Sequence, residues 1–137
     1  MTEHEEKTIK AFIIKERHDR YLMLLDSKKI RGEALNKLNH CKDIDERFIT
    51  WLPSNAEIVK ILKEEGSPEH VYIISDSKDI DGKTLPLADA IHEASMGGWG
   101  TIISCIPGKL AYYYDEEGKR RGILKRKTVN KLLQRTR

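Results

Sequence analysis

Residues 97–114 read GGWGTIISCIPGKLAYYY and hold four of the nine glycines, three of the five tyrosines, one of the two tryptophans and one of the two cysteines of a 137-residue chain. Unusual backbone and large apolar surface coincide there, so the reading of this stretch decides the fold. Gly97 and Gly98 end a helix, and Gly100 to Cys105 reads as a strand. Pro107 and Gly108 fill the two central positions of a type II turn, the second of which needs positive φ. Leu110 to Tyr114 is therefore expected to run back beside the preceding strand.

Beyond this hairpin, Asp115 to Lys119 forms a second turn, and Arg121 to Arg126 reads as a third, edge strand whose basic residues discourage edge-to-edge association. Val129, Leu132 and Leu133 are at helical spacing within Thr128 to Arg135, although a frayed end fits the same residues.

Before it, the pattern alternates. Phe48 to Leu52 is short, aromatic and β-branched, as a strand requires, and Pro53 ends it. Ser54 with Glu57 reads as a capping box for a helix to Glu65, with Ile58, Ile61 and Leu62 inward and Gly66 and Pro68 as the stop. Val71 to Ser75 is a continuous apolar run, the signature of a strand covered on both faces. A loop from Asp76 to Lys83 and a helix near Leu85 to Met96, with Pro86 in its first turn, complete the series. Connections of this length predict parallel pairing of 48–52, 71–75 and 100–105 through right-handed crossovers.

Thr2 and Glu5 form a capping box at the start of a helix, and no Gly, Pro or Asn interrupts Thr2 to Arg31. Ile9, Phe12, Ile13, Tyr21, Leu24 and Leu25 share one broad helical face. The competing reading is a hairpin of Ile9–Ile14 and Tyr21–Leu25, which lacks the turn chemistry of Gly or Asn-Gly. Glu16, Arg17 and Arg20 fall within the apolar arc and are expected to be exposed, the alternative being a paired, partly buried cluster or the lip of a site. A second helix is expected from Asp26 or Ser27, carrying Ile30, Ala34, Leu35 and Leu38. The fold class is thus α/β, with α+β the alternative: an N-terminal helical hairpin followed by a β-α-β-α-β-β-β mixed sheet with helices packed on it. The chain reads as one domain, with residues 1–45 helical, 46–126 the sheet and 127–137 a basic tail.

The formal net charge of +3 conceals an asymmetry. Residues 118–137 hold nine Lys or Arg and no acid, whereas residues 1–117 hold sixteen basic against twenty-two acidic groups. A basic end of this kind suits an anionic partner, either nucleic acid or an acidic protein surface, and it is also a common solvated terminus. The acidic N-terminus and unpaired cysteine spacing predict a cytoplasmic protein with free thiols. No apolar run approaches the ~20 residues that span a bilayer, so no membrane partner is expected.

Chemistry is sparse. No Cys-x2-Cys or His-x3-His pair exists for zinc, and the glycines of residues 97–100 precede a strand, whereas phosphate loops follow one. The loop from Asp76 to Gly82 fails as an EF-hand, because Ser77 falls at its first position and Ala88 at its twelfth, where Glu is needed. Asp76, Asp79 and Asp81 retain a Mg2+ site as an alternative to a polar turn, but no cofactor or metal is expected. With parallel strands, Ser54, Asn55, Asp76 and Cys105 would line one rim. Cys105 is then the candidate nucleophile, with His92 as base and Asp76 beside them; the competing role for such a cysteine is a small apolar filler.

The leading functional expectation is a non-catalytic binding or regulatory module that meets an anionic partner through Tyr113, Arg120, Arg121, Lys125, Arg126 and Lys127. Tyr113 would supply a stacking face. The alternative is a small hydrolase or transferase using Cys105 or the Asp76 loop.

Overall fold

The structure, a computed structural model, describes residues 1–126. Lys127 and the helical spacing of Thr128 to Arg135 lie outside the described residues. The first helix, α1 (Glu3–Phe12), opens with both halves of the expected capping box, the Thr2 hydroxyl accepting from the Glu5 amide and the Glu5 carboxylate from the Thr2 amide. It stops earlier than the uninterrupted periodicity predicts. Ile13 is extended and bridges to Ile44, while Ile14 N donates to Asp43 O and Asp45 N to Phe12 O, so residues 43–45 replace the next helical turn as backbone partners. After a 3-10 turn come α2 (His18–Leu25) and α3 (Arg31–Asn36). This break leaves Glu16, Arg17 and Arg20 exposed, where a continuous helix would have drawn them into its apolar arc.

One six-stranded sheet follows, built from β1 (Ile49–Trp51), β2 (His70–Ser75), β3 (Thr84–Pro86), β4 (Thr101–Ile106), β5 (Leu110–Tyr114) and β6 (Arg121–Lys125). Their spatial order is β1-β6-β5-β4-β2-β3, and every neighbouring pair is antiparallel. The class of helices combined with a sheet stands, but the expected parallel pairing does not occur. Its cause is β3. Residues 76–83 turn the chain back so that Thr84–Pro86 pairs antiparallel with Tyr72–His70, with Gly82 N donating to Ile73 O at 2.8 Å. Helix α5 (Leu87–Gly97) thus starts at the end of the sheet where β2 began and returns the chain to the other end, and β4 enters opposite Ser75, running against β2.

Two further expectations change. β6 is interior, since Ile49, Thr50 and Trp51 pair with Leu124, Ile123 and Gly122; the sheet's edges are β1 and β3. Ser54 caps nothing. Helix α4 (Ile58–Glu64) begins after Glu57 without a side-chain cap, because residues 53–56 close a turn through Ala56 N to Pro53 O. Arg121 fixes that turn by donating to the Pro53 and Ser54 carbonyls.

Both sheet faces are covered, which explains the burial of β5 throughout and of β2 and β4 at all but one end residue each. Tyr72, Ile74, Ile102, Ala111, Tyr113 and Leu124 meet α1, α2 and α3 on one face. Val71, Ile73, Ile103, Tyr112 and Ile123 meet α4 and α5 on the other. Alternation along the strand thus sends Tyr113 to the first core and Tyr112 and Tyr114 to the second.

The hairpin of residues 101–114 forms as read. Lys109 N donates to Ile106 O at 2.9 Å across the turn, Gly108 has φ +72°, and β5 pairs with β4 from Ile106↔Leu110 to Thr101↔Tyr114. That turn reaches past the sheet to α1: a Cβ on Gly108 would stand 3.3 Å from the Lys7 Cβ. The glycine therefore serves both the turn and this contact.

Candidate anion-binding groove

The contact between the turn and α1 forms the floor of a groove of about 340 Å³ lined by Lys7, Lys10, Ala11, Pro107, Gly108, Lys109 and Arg126. Among the described residues, four cations and no acid line it. Lys7 and Lys10 stand one helical turn from Glu3 and Glu6, which they meet at 3.6 and 3.0 Å. Exposed pairs of this kind are weak and easily screened, so both ammonium groups stay available to an incoming anion. The Lys109 side chain is exposed and has no hydrogen bond or ion pair among the described residues. Arg126 is fixed: its Nη1 donates to the Ala11 carbonyl at 3.1 Å, near the C-terminus of α1 where a cation suits the helix dipole. Its guanidinium carbon lies 4.0 Å from the centroid of the Phe48 ring.

The basic residues singled out in the sequence do not form one patch. Because β6 runs antiparallel to β5, Arg120 and Arg121 stand at the Tyr114 end of the sheet, and Lys125 and Arg126 at the Leu110 end. Arg120 lies 4.2 Å over the Trp51 ring, Arg121 holds the 53–54 carbonyls, and Lys125 meets Glu65 at 2.6 Å. Among the described residues, Arg126 alone of this set lines the groove, and Lys7, Lys10 and Lys109, far from the tail in sequence, join it there.

Tyr113 is no surface for stacking. It is fully buried, its hydroxyl donating to the Leu38 carbonyl at 2.6 Å, 3.0 Å from an Asp115 oxygen and accepting from the Cys41 amide. Burial pushes its phenol far above the ordinary tyrosine range. The sequence signal against an exposed Tyr113 was the unbroken apolar run of Leu110 to Tyr114, the pattern of a strand covered on both faces.

Cys105, His92 and Asp76 are not brought together. Cys105 is the last residue but one of β4, near Val71, whereas Asp76 follows Ser75 at the opposite end of β2, roughly 16 Å away along a strand. Burial raises the Cys105 thiol to about 11, the Ser67 hydroxyl opposing it only in part, and His92 is exposed on α5. Asp76 accepts from the Asn39 amide at 2.6 Å. Ser54 and Asn55 share the Asp76 end of the sheet but follow β1, four strands from β2. Asp81 is committed to Arg31 and to the Ser75 amide, and among the described residues no group of three or more His, Cys, Asp or Glu is arranged to hold a metal ion.

A second polar cluster, unread in the sequence, joins α1 to the sheet. His4 stacks on Tyr72 with ring centroids 5.2 Å apart, and its Nδ1 lies 2.7 Å from the Ser104 Oγ. A serine and a histidine at this distance resemble a nucleophile and its base, but Ser104 is fully buried within the sheet. Burial holds the His4 imidazole below its ordinary pKa, against the pull of Glu3 and Glu5. The pair serves to seat α1. No helix among the described residues is long and apolar enough to cross a membrane.

No known protein family, no curated protein and no solved structure matches this chain.

Proposed function

We propose that this protein is a non-catalytic binding module that holds an anionic polymer in the groove between α1 and the Pro107-Gly108 turn. The observation that carries this reading is the convergence of Lys7, Lys10, Lys109 and Arg126 from three separate elements on a groove that no acid lines among the described residues, where the Lys109 side chain has no partner. Isolated surface lysines are ordinary; four cations assembled by tertiary structure create a field that concentrates polyanions. The residues that suggested catalysis lend no comparable support, since the buried Cys105 thiol is kept protonated near neutral pH.

The test is polyanion binding measured by anisotropy at two salt concentrations. Neutralising four phosphates should make affinity fall on the order of 100-fold between about 50 and about 200 mM salt. The triple variant Lys7→Gln, Lys10→Gln, Lys109→Gln should abolish most of that binding while leaving thermal stability nearly unchanged, because all three side chains are exposed. Binding that is unaffected by the triple variant would move the function elsewhere on the molecule.

A further inference from the structure

Arg126 belongs to the groove and also to a stack. Two guanidinium groups lie against the half-buried Phe48 ring, Arg126 at 4.0 Å and Arg47 at 5.0 Å from its centroid. Arg47 is held by a two-point pairing with Asp45, Nε to Oδ1 at 3.0 Å and Nη2 to Oδ2 at 2.7 Å. The same pairing, above all the hydrogen bonds from Arg47, keeps the Asp45 carboxyl below its usual range. Paired in this way, Arg47 carries little net charge toward a phosphate. What it retains is a flat, weakly hydrated plane, exposed over 77% of its side chain and steadied against an aromatic ring. The chemistry beside the groove is thus stacking, whereas the chemistry within it is charge.

A ligand using both must carry phosphates or similar anions along a backbone and open aromatic faces beside them. We infer that the partner is single-stranded nucleic acid: its phosphates enter at Lys7, Lys10 and Lys109, and an unpaired base stacks on the Arg47, Phe48 and Arg126 cluster. This inference rests on the groove being the anion site. A duplex keeps its base faces stacked inside and cannot offer them. An acidic protein surface offers carboxylates, which Arg47 already has from Asp45. Guanidinium planes and aromatic rings take any base, so the contact selects strandedness rather than sequence.

The experiment compares a labelled uridine oligomer with an abasic oligomer of the same length and charge, against the parent protein, Phe48→Leu and Arg47→Lys. Arg47→Lys keeps the charge and removes the plane, and circular dichroism reports whether Phe48→Leu remains folded. The expected result is that the intact oligomer binds the parent protein roughly 5- to 100-fold more tightly than the abasic one. Each variant should lose most of that ratio, read against its own abasic affinity, and the parent protein's ratio should survive high salt. Equal affinity for intact and abasic oligomers, or tighter binding of a duplex, overturns the inference and leaves the groove standing as a polyanion site. Binding of an acidic peptide without either oligomer also overturns it. Failure of every polyanion to bind removes the groove and this partner together.

Discussion

Glu5 and Arg31, twenty-six residues apart, meet at 2.6 Å, and the carboxylate is almost completely buried. The same carboxylate oxygen accepts from the Tyr72 hydroxyl at 2.6 Å, and Arg31 continues to Asp81 at 2.8 Å and to the Leu25 carbonyl. One guanidinium thereby ties α1, the start of α3 and the turn before β3 to the central sheet. Buried charge of this kind is tolerable only because it is paired and hydrogen-bonded.

Removing the cation should therefore hurt more than neutralising one acid. Arg31→Met strands Glu5 and Asp81 and is expected to cost roughly 3–5 kcal/mol. Glu5→Gln keeps the shape and one acceptor and should cost roughly 1–3 kcal/mol. Urea denaturation at neutral pH measures both, and equal losses would mean that the pair does not act through its charge.

The acid limb of stability follows from the same group. Burial alone would raise the Glu5 carboxyl, but the hydrogen bonds from Arg31 and Tyr72 outweigh it and hold the pKa below its ordinary value. The folded state thus binds the proton less readily than the unfolded chain. This contribution is full above the unfolded pKa of about 4.3 and is lost as pH falls through the lower folded value. His4, held low chiefly by burial, acts in the same direction from about 6.5 downward, because the unfolded chain takes up its proton first. Midpoints recorded from pH 7 to pH 3 should fall, and Glu5→Gln should flatten the part below about pH 4.5.

Two glycines of the same hairpin region should answer differently to alanine. Gly108 has φ +72° and room limited by Lys7, so Gly108→Ala is expected to cost about 1 kcal/mol or somewhat more. Gly100 lies against backbone: a Cβ there would stand 2.3 Å from the Leu38 carbonyl carbon and 2.5 Å from the Asn39 nitrogen. Neither atom can move without parting the 38–39 segment from the sheet. Gly100→Ala should leave little folded protein at 37 °C, judged by expression and circular dichroism, and a mild effect would show that the 38–39 backbone yields.

These glycines also mark how far the sequence could be read. The turn at Pro107-Gly108 and the capping box at Thr2 and Glu5 depend on neighbours within four residues, and both form as their local chemistry dictates. Strand direction depended instead on Thr84 to Pro86, a three-residue strand too short to show alternation and closed by a proline. Once that strand pairs with β2, the chain has reversed and the following helix must deliver β4 antiparallel. Of the groove, the turn and Arg126 were legible. Lys7 and Lys10 come from a helix read for its cap and its apolar face, and nothing in their spacing points to Lys109. The weight given to Tyr113 failed because strands on either side and helices on both faces enclose it.

Cys105 provides a further check on the enclosed core. Its thiol, raised to about 11 by burial, should resist alkylation at pH 8 in the native protein and react once urea exposes it. Cys41, buried and raised for the same reason, should behave alike. Fast native labelling of either, followed by mass spectrometry, would show a path to the thiol that the closed packing does not contain.

Tyr113→Phe separates structural from binding roles at the heart of the sheet. The substitution keeps the ring that packs at the edge of Trp51, 6.2 Å between centroids, and deletes only the hydroxyl. The Leu38 carbonyl then loses its donor and the Cys41 amide its acceptor, both away from water. Asp115 keeps the His40 and Glu116 amides, so the buried acid is not left alone. The expected loss is roughly 1–3 kcal/mol of stability, the cost of leaving such groups unmet. Polyanion affinity, measured well below the melting transition, should not change, since the hydroxyl points to the loop of residues 38–41 and not to the groove of Lys7, Lys109 and Arg126. A fall in affinity without a fall in stability would reverse the assignment and return Tyr113 to the binding surface.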